Sequence, residues 1–556
     1  MKMSLKASPS NTIVVLGGGI TGLAAAWELS NGAPGDTRIV VLEQGESLGG
    51  KLQASTVGGR LVDVGPDAFL ARRPEAIDLC KELGIGADLV APGAEGAYVW
   101  ARGRLRRLPE GLAMGIPTRW VPLARSGILD LPGLARAAVD LLPTGLAKRN
   151  PTGHSRVGRD TSVGELVRLR LGDQVATRLA GPLIGGINAA DIDLLSAQAA
   201  FPSLLDASRD PGSLMRSLRP RPGPGPHAPS SSAPPPAAGQ SFRVASSRQD
   251  LPHGAATFLT LRTGLSSLAA RLGSALVARG VDLRLGSAAH DIQAIEAAYH
   301  AGTPESRGPS PDPGGLRQRP GGSEQSTGWI VRSTSGDIAA SGVVVALPAF
   351  EAAAVLRSTS ADLADELDTI RYSSVSLVTL SFADTAIPDL PRGTGFLVPA
   401  DAGMIITACT LLTSKWPLLK QPGLSILRAS VGRDGDDRHL SIDDEELVEK
   451  VLHDLRAVLG VRARPEEALV TRWPRAFPQY QVGHYARVAR IDSLVAALPG
   501  LALAGAAYRG VGIPACIGSG RHAARVVLSS GVLSSGVLSS GGCEVGRDPH
   551  LERGGS

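Results

Sequence analysis

Cysteine, lysine and aromatic side chains are all scarce in this 556-residue chain, and each scarcity excludes something. The four cysteines, Cys80, Cys409, Cys516 and Cys543, stand far apart and form no Cys-x-x-Cys pair. That excludes a zinc cage or disulfide framework legible from spacing, and it suits a reducing compartment with thiols as small apolar fillers. Aromatic residues make up 4% of the chain, too few for base-stacking platforms. Of 57 basic residues eight are lysines and 49 arginines; against 52 acidic residues the net charge is +5, with no dense basic run. Nucleic acid is therefore not an expected partner. No stretch of about 18 uncharged apolar residues occurs, so no helical membrane span is expected. The most apolar region, 494–507, is interrupted by Pro499, Gly500 and Gly505. The apolar run at 13–16 is too short for the core of a signal peptide, which leaves the cytoplasm as the expected location. The ten histidines have no metal-ligand spacing, so no metal site is expected; His154, His253 and His484 read as surface or core residues.

What is present is a globular composition, 43% hydrophobic and 20% charged, on a length that predicts several domains. Thr12-Ile-Val-Val-Leu16 is short, β-branched and closed by glycine, the pattern of a buried strand. Ile20, Leu23, Ala24 and Trp27 follow at helical spacing, and Arg38-Ile-Val-Val-Leu-Glu43 reads as a second buried strand ending on an acid. Between the first strand and the helix lies Gly17-Gly18-Gly19-Ile20-Thr21-Gly22, a G-x-G-x-x-G loop. Its glycines suit a tight turn, close approach of a pyrophosphate and close helix–strand packing, with the phosphate on the helix N-terminus. Glu43 is placed to accept from a ribose hydroxyl, and an acid there disfavours a 2′-phosphate. Gln44-Gly-Glu-Ser-Leu-Gly-Gly50-Lys51 and Gly65-Pro66-Asp67-Ala68 add further points of backbone access, as a long dinucleotide such as FAD requires. Near the other end, Gly505-Ala-Ala-Tyr-Arg-Gly-Val511-Gly512-Ile513-Pro514 leads into helical spacing. Pro514 suits a first helical turn, whose free N–H groups would face the anionic N1 edge of a reduced flavin.

Ser162-Val-Gly-Glu165 is a capping-box pattern within a mostly helical region. Leu265, Leu268, Ala269, Leu272 and Leu276 mark another helix, and 281–285 alternates as a strand. The proline-, glycine- and serine-rich stretches at about 218–247 and 302–327 read as disordered insertions, and the Val-Leu-Ser-Ser-Gly repeat after 530 as a disordered tail.

Taken together, the fingerprint with Glu43 and Gly49-Gly50-Lys51 resembles the flavin amine oxidase superfamily. Gly65-Pro-Asp-Ala-Phe-Leu70, Met114-Gly-Ile-Pro-Thr118, Thr471-Arg-Trp473, Pro478-Gln-Tyr480 and Gly510-Val-Gly-Ile-Pro514 narrow the resemblance to protoporphyrinogen oxidases, closest to their soluble bacterial branch, the coproporphyrinogen III oxidases. The resemblance spans about residues 11–528 apart from the insertions. It implies an α/β fold: a Rossmann-like FAD-binding domain (1–108, 255–350, 470–530), a mixed-sheet substrate domain (206–254, 351–469), a helical cap (109–205) and a tail (531–556). It also implies FAD-dependent oxidation of a porphyrinogen in haem biosynthesis, with dioxygen as acceptor giving hydrogen peroxide. The implied cofactor contacts are Gly17 to Gly22, Glu43, Gln44, Gly50, Lys51, Gly65 to Ala68, Ala289, Trp473 and Val511 to Ile513. No side chain is assigned a catalytic role, since flavin N5 does the chemistry. Carboxylates of the substrate call for arginines: Arg72, Arg73 and Arg119 are the candidates, with Lys415 weaker. Arg73 stands where relatives carry a lysine. Protoporphyrinogen IX, or an amine- or carotenoid-type substrate on the same scaffold, remains an alternative, as does a partner-binding protein that has lost FAD. Transient contact with a haem-pathway enzyme or a membrane surface also fits.

Overall fold

The computed structural model describes residues 11–142, 160–210, 212–219, 257–296, 327–387 and 390–530. The bulk of both low-complexity stretches, the repeat tail, Cys543, His154 and His253 lie outside the described residues.

Strand β1 (Thr12–Leu16), helix α1 (Ile20–Gly32) and strand β2 (Arg38–Leu42) form the expected unit. β1 lies at the centre of a five-stranded sheet in the order Asp282–Arg284, β2, β1, Gly342–Val345, Leu501–Leu503, every pair parallel. A sheet covered on both faces needs apolar residues at every position, which is why these strands do not alternate with polar residues. The two faces of β1 instead feed two cores. Ile13 and Val15 join α1, the helix Ser266–Ala278 and the C-terminal helix Ile513–Ser529. Val14 and Leu16 join the hairpin strands Ala289–Glu296 and Thr327–Ser333 and the helices Ala349–Leu356 and Ala361–Asp368. The strand order reverses beside β1, which puts a switch-point crevice at the carboxyl end of β1, above the glycine loop.

The second sheet has seven strands: Glu467–Pro478, Tyr372–Ala383, Leu424–Val431, Ile406–Leu411, Gly395–Leu397, Tyr98–Ala101 and Arg104–Arg107. It is mixed, as expected: all pairs are antiparallel except Gly395–Leu397 against Tyr98–Ala101. The helix Asp444–Leu459 covers it through Leu447, Val451, Leu452 and Leu455. That helix is specified locally, by an Asp443 cap that accepts the Glu446 N–H, three acids in its first turn, and left-handed Gly460 at its end. The third unit is the helical cap, from Trp120–Ser126 to Leu214–Ser217. Ser162 caps Val163–Leu171 by accepting the Glu165 N–H at 3.1 Å, but Glu165 turns to the Thr161 hydroxyl, so half of the capping box forms. Within the cap Ala176–Gly185 is wound as a π-helix around Pro182, which lacks the N–H a tighter turn would use.

Three boundaries fall differently from the sequence expectation. Residues 98–107, placed with the first nucleotide-binding segment, pair into the mixed sheet, as does all of Glu467–Pro478. Residues 206–219 belong to the cap core through Ala207, Leu214 and Met215. The helices at 349–368 pack on the nucleotide sheet rather than on the mixed sheet. A strand pattern names a strand but not its partner, and these partners are distant in the chain: Tyr98 pairs with Phe396, and Trp473 with Val375. No helix of the described residues is long and apolar enough to cross a membrane.

α1 and Ile513–Ser529 run parallel and very close, with Thr21 beside Gly520 and Gly32 beside Leu528. A Cβ on Gly520 would stand 2.1 Å from the Thr21 carbonyl oxygen. Gly520→Ala is expected to push the helices apart at a cost of about 1–3 kcal/mol, seen as a Tm lower by several degrees. Gly35→Ala, where a Cβ meets open space, should leave Tm unchanged.

Candidate cofactor and substrate site

The glycine loop is shaped as a cradle. Gly17 has φ +98°, a Cβ on Gly22 would collide with the Gly17 carbonyl oxygen, and a Cβ on Gly19 would enter open space. The loop therefore closes tightly on itself while leaving the face over Gly19 clear, which is the space a pyrophosphate occupies at a helix N-terminus. Ile20 and Thr21 open α1 and are buried. Glu43 stands at the end of β2 and its two oxygens accept the N–H groups of Gly18 (2.6 Å) and Gly45 (2.7 Å). Its role is thus wider than the ribose contact expected: it ties the loop to β2, and a carboxylate retains acceptor sites beyond these two.

Neighbouring segments are drawn in by backbone bonds. The Gly49 N–H donates to Gly18 O (2.8 Å), bringing Gly50 and Lys51 beneath the loop. The N–H groups of Gly286 and Ser287 donate to Gly45 O and Glu43 O, which lays the segment ending at Ala289 alongside. Solvent reaches Lys51, yet surrounding protein is dense enough that desolvation lowers its ammonium pKa against the pull of Cys516 and Glu351. Gln44 is exposed and hydrogen-bonds Glu351, whose own pKa is raised by desolvation.

Gly65 stands against the Lys51 carbonyl, and the Trp473 indole reaches the same place, its Nε1 donating to Val64 O at 2.8 Å. Pro66 and Ala68 flank Asp67, and Asp67 is not free for a ligand. Its carboxylate accepts from Lys415 Nζ (2.8 Å) and Trp416 Nε1 (2.8 Å) and pairs with Arg428 (3.0 Å). Burial would raise the Asp67 pKa, but the charges of Arg428 and Lys415 overcome it and hold the group far below the ordinary carboxylate range. Lys415 is accordingly engaged within the protein and is removed as a substrate candidate.

At the C-terminal loop Val511 packs on the cap core, Gly512 precedes the helix, and Ile513 and Pro514 form its first turn. Cys516, one turn in, hydrogen-bonds Thr21, so two helix N-termini open side by side toward the same crevice. Arg73 reaches this loop, 3.6 Å from a Cβ placed on Gly510, and pairs with Glu75 at 2.9 Å. Arg72 is exposed, with Nη2 3.9 Å from Met114 Sδ at the edge of the cap, and no carboxylate partner among the described residues. Arg119 lies outside this group, on the surface 3.7 Å from Glu110. Two helix N-termini side by side and a clear cradle at Gly19 suit an elongated dinucleotide with its pyrophosphate at α1 and its flavin at Val511 to Ile513.

Comparison with known proteins agrees. The family described as flavin containing amine oxidoreductase matches residues 20–528. The coproporphyrinogen III oxidase of Bacillus subtilis is 32% identical over 525 residues, 93% of this chain and 98% of its own. That of Propionibacterium freudenreichii is 33% identical over 93% and 91% of the two chains. This chain belongs to the flavin-containing amine oxidoreductases, among the coproporphyrinogen III oxidases. Its cofactor is FAD. The crystal structure of a provisionally named protoporphyrinogen oxidase from Exiguobacterium sp. superposes at TM-score 0.73 with 30% identity, over 94% of this chain and 99% of that one. Reduced UDP-galactopyranose mutase, at 13% identity and TM-score 0.62 over 94% and 97%, shares the fold alone.

Several residues of this flavoenzyme carry no local sequence signal. Arg428 sits mid-strand, donating to Asp63 O (2.8 Å) and Gly65 O (3.1 Å) besides its pair with Asp67. Glu351 joins Gln44 to Lys51 across the crevice. His484 is fully buried and stacked on Tyr480, with ring centroids 4.0 Å apart. Desolvation lowers its pKa from 6.5 to about 4, outweighing the Tyr508 carbonyl it bonds and Asp160, with Arg487 and Arg509 pushing the same way as burial.

Arg428→Met should leave Asp67 underpaired where water hardly reaches, costing about 3–5 kcal/mol in urea unfolding; a loss below about 1 kcal/mol would contradict this account. For His484 the sign follows from its lowered pKa. Between pH 6.5 and about 4 the unfolded chain binds a proton that the folded chain refuses, so stability falls on acidification through that window and is flat above it. The expected loss is on the order of 3 kcal/mol, and His484→Phe should remove this component when denaturation at pH 7 and pH ~4.5 is compared.

Proposed function

We propose that this chain oxidises coproporphyrinogen III to coproporphyrin III in haem biosynthesis, in the cytoplasm, with dioxygen as the electron acceptor. The names of its relatives, at 29–33% identity over nearly the whole chain, carry the choice of substrate. FAD held by these residues would supply two-electron oxidation, so removing six electrons and six protons from the macrocycle would take three cycles and convert three dioxygen molecules to three hydrogen peroxide. The protein's part is to hold and orient. The N–H groups at the starts of α1 and of Ile513–Ser529 would face anionic parts of the cofactor, and Lys51, which interacts with Cys516 of the second helix, would add a cation. Among the arginines near the Gly-Pro-Asp loop, Arg72 is the one without an internal carboxylate partner, at the edge of the cap. It therefore supports a propionate contact better than Arg73, which Glu75 neutralises, or Arg119 on the surface. Pyrrole protons can leave to water, so no buried base is needed.

The test is to reduce coproporphyrin III and protoporphyrin IX chemically without air, add enzyme, admit air and follow porphyrin fluorescence with peroxide. Coproporphyrin should appear faster, with three peroxides per macrocycle; preferential oxidation of protoporphyrinogen would assign that substrate instead. Arg72→Gln should raise KM for coproporphyrinogen about tenfold while kcat changes little, as expected when one charged hydrogen bond common to ground and transition states is lost.

A further inference from the structure

Tyr480 stands where the cap, the mixed sheet and the C-terminal loop meet. Its backbone carbonyl accepts the Ser196 N–H at 2.7 Å, and the Val482 N–H donates to Leu194 O, so this segment is docked on the cap. Its phenol points the other way: the oxygen accepts the Gly510 N–H (2.7 Å) and the hydroxyl donates to Ala506 O (2.5 Å). His484, four residues on and the first residue of the helix His484–Ala496, lies flat against the same ring at an interplanar angle of 13°, and its Nε2 is 2.8 Å from Tyr508 O. A carbonyl can only accept, so Nε2 carries the proton and Nδ1, which has no partner, does not. Two stacked, buried rings thus hold three backbone groups of 506–510, immediately before Val511 to Ile513. These bonds also join two cores: Tyr480 packs in that of the cap, and Tyr508, whose carbonyl His484 holds, in that of the nucleotide sheet. A loop that enters a helix through two glycines has little stiffness of its own, and these bonds supply it.

We propose that Tyr480, seconded by His484, is a positioning residue for the flavin. It sets how closely the N–H groups at the start of Ile513–Ser529 approach the flavin ring, and so sets FAD affinity and the flavin reduction potential, without touching a reacting atom. The proposal rests on the reading that places the flavin end of FAD, rather than its ADP end, at Val511 to Ile513.

The test uses the purified full-length protein, stripped of flavin and titrated with FAD by fluorescence quenching, with ADP as a parallel probe of the other half of the site. Flavin absorption and midpoint potential are read on the reconstituted enzyme. Tyr480→Phe removes only the hydroxyl and leaves the Gly510 N–H unpaired. It should raise the FAD Kd about tenfold, shift the potential and the visible bands, and leave the ADP Kd unchanged. His484→Phe keeps the stack but removes the donor to Tyr508 O, and should act in the same direction more weakly. Wild-type FAD affinity, bands and potential in Tyr480→Phe overturn the proposal, even if Tm falls, because the clamp is then structural only. Equal losses of FAD and ADP affinity overturn the placement of the flavin on which it stands. Should Tyr480→Phe fail to fold, His484→Phe decides on the same readings.

Discussion

The close parallel packing of α1 on the C-terminal helix is the constraint on which the remainder of the molecule depends. Gly520 against the Thr21 carbonyl allows the two axes to approach further than side chains would permit, and the Thr21–Cys516 contact keeps their first turns level. Helix dipoles act only within about the first turn. Two N-termini therefore reinforce one another at a single ligand only if they start at the same height, which this contact ensures. It also explains how segments some 490 residues apart in the chain form one crevice at the switch point of the sheet.

A second set of interactions fixes the mixed sheet against that crevice. Arg428, Lys415 and Trp416 from the mixed-sheet side converge on Asp67, while Trp473 donates to Val64. Buried charges like these contribute little net stability compared with an apolar alternative, but a broken one is costly, so they select one relative placement of the two layers. With Asp67 satisfied internally and Arg73 paired to Glu75, Arg72 has no carboxylate partner among the described residues.

The cap shares a core with the mixed sheet, since Val99 and Ala101 are buried among its residues and Leu397 packs against it. Residues 479–484 run from the cap at Ser196 to the loop at Gly510, and Met114 stands against Arg72. One short segment thus ties the cap to the C-terminal loop through a few backbone and side-chain bonds.

From sequence alone, the β1–loop–α1–β2 unit, the acid at Glu43, the cap at Ser162 and the proline start at Pro514 were legible. Each rests on rules that act within a few residues: the two-residue period of strands, the 3.6-residue period of helices, and the need of exposed helix ends for nearby acceptors. The family resemblance extended this to the cofactor. What only the tertiary structure decided are the interactions between distant residues. Lys415 reads as a substrate cation until Asp67 appears beside it, residues 98–107 read as part of the first domain until they find Gly395–Leu397, and nothing near Tyr480 reveals that its hydroxyl serves a loop 30 residues on. Side-chain chemistry states what a residue can bind; only the folded chain determines which partner is within 3 Å and whether water is there to compete.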